Sequence, residues 1–196
     1  MKQLTISILL VLAIFAASAQ QAHQIGVYTE GAWFMPKEFS SNSNSLKNGF
    51  GVGAGIYVSS PIWKKLSAVA GLGYRYKENK SQQYLIDEPS YTTYWTKFNQ
   101  SYLVIPVKLQ YPVSRHYFVE TGVDISWLLN YKHVNEKPEF DWVVGFGSKQ
   151  HRLQWSVNYK QGFDWQGFGE LDGTNSVGQV FRNRMLVVNL SYPLWK

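Results

Sequence analysis

The sequence predicts an all-β fold, an eight-stranded antiparallel up-and-down transmembrane β-barrel. Three observations predict it: an N-terminal export signal, a recurring two-residue alternation of apolar and polar residues, and connections that alternate between short and long. Strands of such a barrel expose only alternate residues to lipid, so they read as segments of about 10 residues with alternating hydrophobicity. After the signal, no stretch approaches the roughly 20 apolar residues of a membrane-spanning helix.

The export signal occupies the first 19 residues. Met1 and Lys2 form a charged start, residues 4–15 are almost all apolar, and Ala17-Ser18-Ala19 has the small-x-small pattern that a signal peptidase recognises. This predicts a signal peptide over residues 1–19 and a single outer-membrane β-barrel domain over residues 20–196. The chain has no Cys, which argues against a small disulfide-stapled scaffold and against a lipoprotein.

Cleavage of this signal is directly measurable. We expect the exported protein to begin at Gln20, because the small residues of the cleavage pattern end at Ala19. Mass spectrometry of the exported protein checks this, and an intact Met1 would contradict both the signal and the predicted localisation.

The first four predicted strands each carry most of their apolar residues at alternate positions. The second is the clearest, with apolar residues at even positions 50–58 against glycines at odd positions 49–55. No segment keeps the three- and four-residue apolar spacing of a helix for long. These strands are predicted at Gln24–Met35, Asn48–Ser59, Leu66–Lys77 and Gln100–Tyr111.

The last four predicted strands continue the same pattern. Their apolar residues lie at odd positions 117–129, even positions 140–146, odd positions 153–159 and even positions 186–194. These strands are predicted at Tyr117–Leu129, Phe140–Gly147, Leu153–Lys160 and Leu186–Leu194.

The connections between these segments differ systematically in length. Residues 60–65, 112–116 and 148–151 are predicted as short turns, and residues 36–47, 78–99, 130–139 and 162–183 as long loops. Short turns at one end and long loops at the other are typical of outer-membrane barrels. We therefore expect the short turns and both termini to be periplasmic.

The composition of the polar face indicates which side of each strand points inward. A soluble lipocalin-like barrel also alternates, but it turns its apolar face inward around a ligand. A water-facing surface carries about 25–35% charged residues, whereas the polar face here is mostly Gly, Ser, Asn, Gln and Tyr. Such residues suit the narrow interior of an eight-stranded barrel. A soluble exported barrel that binds a small apolar ligand is the alternative.

Aromatic residues concentrate near both ends of the predicted strands. Two belts of Trp and Tyr at lipid headgroup level are typical of membrane proteins. The predicted membrane-interface aromatics are Trp63, Tyr111 and Trp195 at the periplasmic end, with Trp33, Trp127 and Trp142 at the outer end.

Residues 102–111, YLVIPVKLQY, resemble the Y-L-x-I-P-L-x-L-x-Y strand of the PorT-like family of small outer-membrane β-barrel proteins. Residues 117–122, YFVETG, are similar to the aromatic-x-x-x-x-Gly pattern that follows it in that family. The resemblance implies a porin-like barrel in the outer membrane of a Gram-negative bacterium. Most members of that family have no assigned activity, and one is associated with a secretion and gliding apparatus. Pro106 cannot donate a ladder hydrogen bond, so we expect a bulge or local break there.

Charged residues with inward parity are balanced between acids and bases. Two interpretations fit: a structural network of salt bridges that plugs the lumen, or a proton or ion path. We favour the network, because an eight-stranded interior has little room for a channel. The predicted lumen network is Glu30, Glu120 and Asp124 with Arg75, Lys108 and Lys160.

The sequence predicts no catalytic residues, metal site or cofactor. A lipid A-modifying enzyme would need a His within reach of a Ser and a carboxylate at the outer leaflet. His23, His116 and His151 fall at the N-terminus or in periplasmic turns, and His133 has no adjacent Ser. Metal-ligand spacings of His, Cys or Asp are also missing.

The expected function is therefore a non-enzymatic outer-membrane barrel, a structural or accessory component of the envelope or of a secretion assembly. A lipid A-modifying enzyme remains a further alternative beside the soluble ligand-binding barrel. The net charge of +6 falls to about +5 without Lys2 and forms no basic run. This favours contact with outer-membrane lipid and lipopolysaccharide, and with other envelope proteins, over binding of nucleic acid.

Overall fold

The computed structural model describes residues 24–38, 46–87, 90–130, 138–150, 152–168 and 179–195. The predicted signal peptide, Gln20, His23, His133 and His151 lie outside these ranges. So do residues 39–45, 88–89, 131–137 and 169–178 of the predicted long loops. The described part of the chain contains no apolar helix of membrane-spanning length.

The described residues form one closed antiparallel sheet, which confirms the predicted eight-stranded barrel. Each long strand pairs with the next along the chain, and the last pairs with the first to close the cylinder. A two-residue strand, Lys37–Glu38, pairs with the outer part of the last long strand. The strands are β1 (Gln24–Phe34), β2 (Lys37–Glu38), β3 (Leu46–Trp63), β4 (Leu66–Asp87), β5 (Ser90–Pro112), β6 (Tyr117–Leu128), β7 (Glu139–Gln150), β8 (Leu153–Phe168) and β9 (Gln179–Trp195).

Side chains alternate between the barrel exterior and its lumen along every long strand. Phe50 and Ile56 on β3 are 61% and 58% exposed, and Glu120 and Asp124 on β6 are buried. The exterior is thus apolar and the lumen polar, the reverse of the arrangement in a lipocalin-like barrel. Exposed apolar residues on so many strands form a continuous outer band that suits lipid.

The prediction of a loop over residues 78–99 is wrong. β4 continues to Asp87, β5 begins at Ser90, and the two strands pair without interruption from Glu78↔Asn99 to Asp87↔Ser90. The hairpin thus extends well beyond the end of β6, whose pairing with β5 begins at Tyr102↔Leu128. Strands β8 and β9 likewise include residues 162–168 and 179–183, which were also predicted as loop, and they pair there from Trp165↔Arg182 to Phe168↔Gln179.

The turn-side end of the barrel is compact. β3 runs to Trp63, so the predicted turn over residues 60–65 shortens to Lys64 and Lys65. Lys64 has φ 42°, a left-handed conformation that tight turns require. The second turn, between β5 and β6, comprises residues 113–116. The third turn, between β7 and β8, includes Arg152.

Pro106 lies at a break in one strand ladder. The pairing of β4 with β5 skips from Ala70↔Val107 to Gly73↔Val104 without a change of register. A Cβ on Gly71 would lie 3.1 Å from the Pro106 ring. The proline ring therefore takes the space between the strands where a ladder hydrogen bond would form.

Candidate functional site

Four charged side chains meet in the middle of the lumen, and we call them the central cluster: Glu30, Arg75, Asp124 and Lys160. The Arg75 Nε donates to Glu30 Oε1, and its Nη2 donates to Asp124 Oδ2 at 2.9 Å. The Lys160 Nζ donates to the same Asp124 oxygen at 2.5 Å and lies 3.5 Å from Glu30 Oε2. Each base thus contacts both acids.

The central cluster connects four strands that are not neighbours in the sheet. Its members come from β1, β4, β6 and β8, and all four are at most 6% exposed. Removing such charges from water is costly, so the complete set contributes little net stability. Loss of one member leaves its partners buried without compensation, which is strongly destabilising.

A glycine makes room for this cluster. A Cβ on Gly53 would lie 2.8 Å from the Glu30 Cγ and 2.9 Å from the Tyr74 carbonyl oxygen. Even alanine would press against the Glu30 side chain, since Cβ contacts below 3.0 Å essentially do not occur. The glycines of β3 therefore leave space for the lumen side chains that face them.

A second ion pair lies closer to the short turns, and we call it the turn-side pair: Lys108 and Glu120. Lys108 Nζ donates to Glu120 Oε1 at 3.0 Å. Gln110 donates to the other Glu120 oxygen at 2.8 Å, and Ser156 donates to Oε1 at 3.1 Å. Both oxygens of the Glu120 carboxylate are therefore hydrogen-bonded, as a buried charge requires.

The turn-side pair is expected to be energetically coupled. Lys108→Met and Glu120→Gln should each lower the free energy of unfolding by about 1–3 kcal/mol, because each leaves a buried polar partner without its hydrogen bond. The double substitution should cost less than the two single losses added. Denaturant unfolding in lipid vesicles measures all three, and strict additivity would show that the two side chains do not stabilise each other.

A small cavity extends from the central cluster toward the short turns. Its volume is about 60 Å³. A buried water needs about 10–15 Å³ of such space, so the cavity suits a few waters rather than a bulky ligand. Its walls near the turns include Tyr57, Ser59, Gln110 and Gln154.

The outer half of the lumen is filled by side chains. Ala32, Phe34, Met185 and Val187 form a buried apolar cluster. Lys77 lies 4.5 Å above the Phe34 ring and donates to Asn183 Oδ1 at 3.1 Å. Packing of this kind leaves no wide aqueous path among the described residues of this half.

The structure places all six predicted network residues in the lumen and adds three charges that the sequence analysis did not include. Lys77 and Asp141 are each 1% exposed, and the Tyr102 hydroxyl donates to Glu139 Oε1 at 3.3 Å. Inward parity with Arg75 would have revealed Lys77, and the alternation of β7 would have revealed Asp141. Within the described residues, neither Asp141 oxygen has a hydrogen-bond partner.

The predicted interface aromatics all point outward. Trp63, Tyr111 and Trp195 are exposed near the short turns, and Trp33 is exposed at the opposite end. Trp127 and Trp142 on that end are half-buried, with Trp142 in edge contact with Tyr159 at 5.5 Å. The six residues thus form two groups, one at each end of the strands, and their contact with lipid headgroups stays a prediction.

His116 is the one histidine within the described ranges. It lies in the exposed turn between β5 and β6, where its backbone N–H donates to Ser114 Oγ at 3.3 Å. Among the described residues, no group of three or more His, Asp or Glu side chains is arranged to hold a metal ion.

Comparison with solved structures identifies small outer-membrane barrels as similar folds. The outer membrane protein OprG from Pseudomonas aeruginosa matches with a TM-score of 0.55 and 6% identity, over 90% of this chain and 97% of its own. The outer membrane protein AlkL, solved in lipid bilayers, matches with a TM-score of 0.50 and 10% identity, over 90% and 92%. No family model and no curated protein matches the sequence. At such identities the likeness establishes the fold alone.

Proposed function

We propose that this chain is an outer-membrane β-barrel without catalytic activity. It serves as a structural or accessory component of the bacterial envelope or of a secretion assembly. One observation carries the proposal: the lumen is crossed by a buried ion-pair cluster that joins β1, β4, β6 and β8 under an apolar exterior. Such a cluster closes the lumen and leaves the loops and outer rim as the surfaces for partners.

Several features support membrane insertion. The barrel closes on itself, so it has no open sheet edge at membrane depth. Its apolar band is flanked by exposed aromatics at both ends. The short turns lie at the same end as Gln24 and Trp195, which favours a periplasmic location for that end. The resemblance of residues 102–111 to the PorT-like strand is the reason to include secretion assemblies among the partners.

Fractionation and lipid analysis test the localisation and the absence of catalysis. We expect the protein in the outer-membrane fraction, with solubility that depends on detergent and gel migration that changes on heating. Recovery as a soluble protein would instead support the ligand-binding barrel. Loss of lipid A acyl chains on expression would support the lipid A-modifying enzyme, and either result overturns the proposal.

Planar bilayers test the closed lumen. We expect no steady conductance from the purified protein, because the central cluster and the outer apolar packing fill the described lumen. A stable channel whose ion selectivity reverses with Lys108→Glu would show that the charges line a conducting path.

A further inference from the structure

We propose that three lysines on the barrel exterior bind a phosphate group of lipid A, with an acyl chain of the same lipid in the apolar groove beside them. The lysines are Lys47 on β3, Lys80 on β4 and Lys97 on β5, and we call them the lysine row. The inference rests on the proposed function in one respect, which is that the end opposite the short turns faces the outer leaflet.

Strand register places the three lysines side by side. Lys47 pairs with Lys80, and Lys80 pairs with Lys97. All three side chains are exposed, and Lys80 has the same outward parity on β4 as the exposed Tyr74. Like charges that lie directly opposite each other on neighbouring strands are destabilising. An anion bound between these ammonium groups would remove that repulsion.

The side chains of Lys47 and Lys97 both extend toward the strand that carries Lys80. The Lys47 Nζ lies 3.8 Å from the centroid of the Trp95 ring on β5, so this side chain crosses the exterior face of β4. The Lys97 Nζ lies 3.2 Å from Glu78 Oε1 on β4. The cationic ends of the lysine row are therefore gathered on one exterior face of the barrel.

The charge of the lysine row matches that of a phosphate monoester. Among the described residues, Glu78 is the carboxylate that forms an ion pair with the row, and it neutralises one of the three ammonium groups. Two positive charges remain, and a phosphate monoester carries about −1.5 to −2 at pH 7. The phosphates of lipid A can ionise twice in this way, whereas the phosphodiester of a phospholipid such as phosphatidylglycerol carries a single charge. The row therefore favours lipid A over phospholipid.

An apolar groove adjoins the lysine row on the side toward the short turns. It has a volume of about 510 Å³, and Lys80 and Glu78 lie at its outer end. Lys80 is one outward-facing position beyond Glu78, which pairs with Phe50, so the row lies about 7 Å beyond the apolar wall. The order of apolar groove and then basic row is the order of acyl chain and then phosphate in an outer-leaflet lipid. The apolar wall consists of Trp33, Phe50, Val52 and Tyr76.

The test measures binding of bis-phosphorylated lipid A to the refolded protein in detergent micelles by native mass spectrometry. The Lys47→Gln, Lys80→Gln double variant should weaken binding about 10–30-fold, because each lysine beside an anionic headgroup contributes roughly fivefold. The matched control is the Lys64→Gln, Lys65→Gln double variant, which removes two exposed lysines at the first short turn and should bind as the wild type does. Gel migration that changes on heating verifies that each variant is folded. Equal affinities of the wild type and the Lys47→Gln, Lys80→Gln variant would overturn the proposal.

Other ligands distinguish lipid A from other sources of phosphate. The same lipid without its phosphates and phosphatidylglycerol should both bind several-fold more weakly than lipid A. Inorganic phosphate should not displace lipid A, because it cannot occupy the groove. Phe50→Ala keeps every charge and should weaken lipid A binding several-fold by removing part of the apolar wall. Equal affinity for phosphatidylglycerol, or displacement by inorganic phosphate, would overturn the assignment to lipid A.

Surface labelling separates this inference from the proposed function. The chain has no Cys, so Lys80→Cys and Lys65→Cys each introduce a single thiol. On intact cells, a membrane-impermeant maleimide should label Lys80→Cys and leave Lys65→Cys unlabelled. Labelling of Lys80→Cys without lipid A binding in micelles would overturn this inference and leave the proposed function intact. Labelling of Lys65→Cys instead would reverse the proposed orientation and overturn the outer-leaflet site with it.

Discussion

Asp124→Asn is expected to lower the free energy of unfolding by about 3–5 kcal/mol. One oxygen of this carboxylate accepts hydrogen bonds from both Arg75 and Lys160, and the residue is fully buried. The amide keeps the shape but removes the charge, so two buried cations lose one of their two partners. Relief of repulsion from Asp141 opposes this loss but affects one contact rather than two. Denaturant unfolding in lipid vesicles, followed by tryptophan fluorescence, measures the change.

Two further variants separate the central cluster from general charge effects. Glu78→Gln removes the carboxylate of an exposed pair with Lys97, whose atoms are 3.2 Å apart, and should cost about 0–1 kcal/mol. Combining Asp124→Asn with Lys160→Met should cost less than the sum of the two single losses. The double variant also removes the Lys160 ammonium, which the Asp124→Asn variant leaves buried without this partner. If Asp124→Asn were as mild as Glu78→Gln, the central cluster would not be dry, and its role as a plug would be wrong.

The part of each strand that carries the exposed apolar band could be predicted from sequence because its two sides differ chemically. On β3, even positions from Phe50 to Val58 face outward and the glycines face the lumen, as alternation predicts. The same holds for β6, where Glu120 and Asp124 are buried beside exposed Val119. A one-residue slip would place apolar residues in the lumen and charges on the exterior, so the pattern specifies the register strongly.

The extended β4–β5 hairpin could not be predicted in this way. Beyond Glu78 the strands leave the apolar band, and the segment reads Asn, Lys, Ser, Gln and Gln without alternation. Backbone pairing continues from Asn79↔Phe98 to Asp87↔Ser90 although the sequence there has no two-residue hydrophobic period. Tyr and Thr in residues 90–96 favour a strand, but the polarity of the whole segment is the stronger signal and indicates a loop.

The candidate site was predictable as a set of inward positions but not as a set of contacts. Parity places Arg75 and Lys160 in the lumen, but their shared partner Asp124 lies on a strand that adjoins neither β4 nor β8 in the sheet. Which side chains meet across a barrel depends on the stagger of the strands. The sequence also does not predict that both Asp141 oxygens lack a hydrogen-bond partner among the described residues. That depends on the directions in which Arg75 and Lys160 donate their hydrogen bonds.

Ile56→Arg is expected to destabilise the inserted barrel by about 2–4 kcal/mol, the cost of Arg on the lipid face near the bilayer midplane. Ile56 is 58% exposed on the exterior, between Val27 on β1 and Leu72 on β4. Val52→Arg places a charge on the same exterior face. Val52 is one outward-facing position from Phe50, which pairs with the exposed Glu78. Its Arg can reach the interface, so we expect a smaller loss than at Ile56.

The controls distinguish solvation from crowding. Ile56→Leu keeps an apolar side chain of equal volume and should change stability by less than about 1.5 kcal/mol. Gly53→Arg should prevent folding in detergent as well as in lipid, because even a Cβ there meets Glu30 at 2.8 Å. The Ile56→Arg penalty should instead appear in bilayers and shrink in detergent micelles, where the side chain reaches water readily. Ile56→Arg and Val52→Arg proteins that fold in bilayers as well as the wild type would show that this face does not contact lipid.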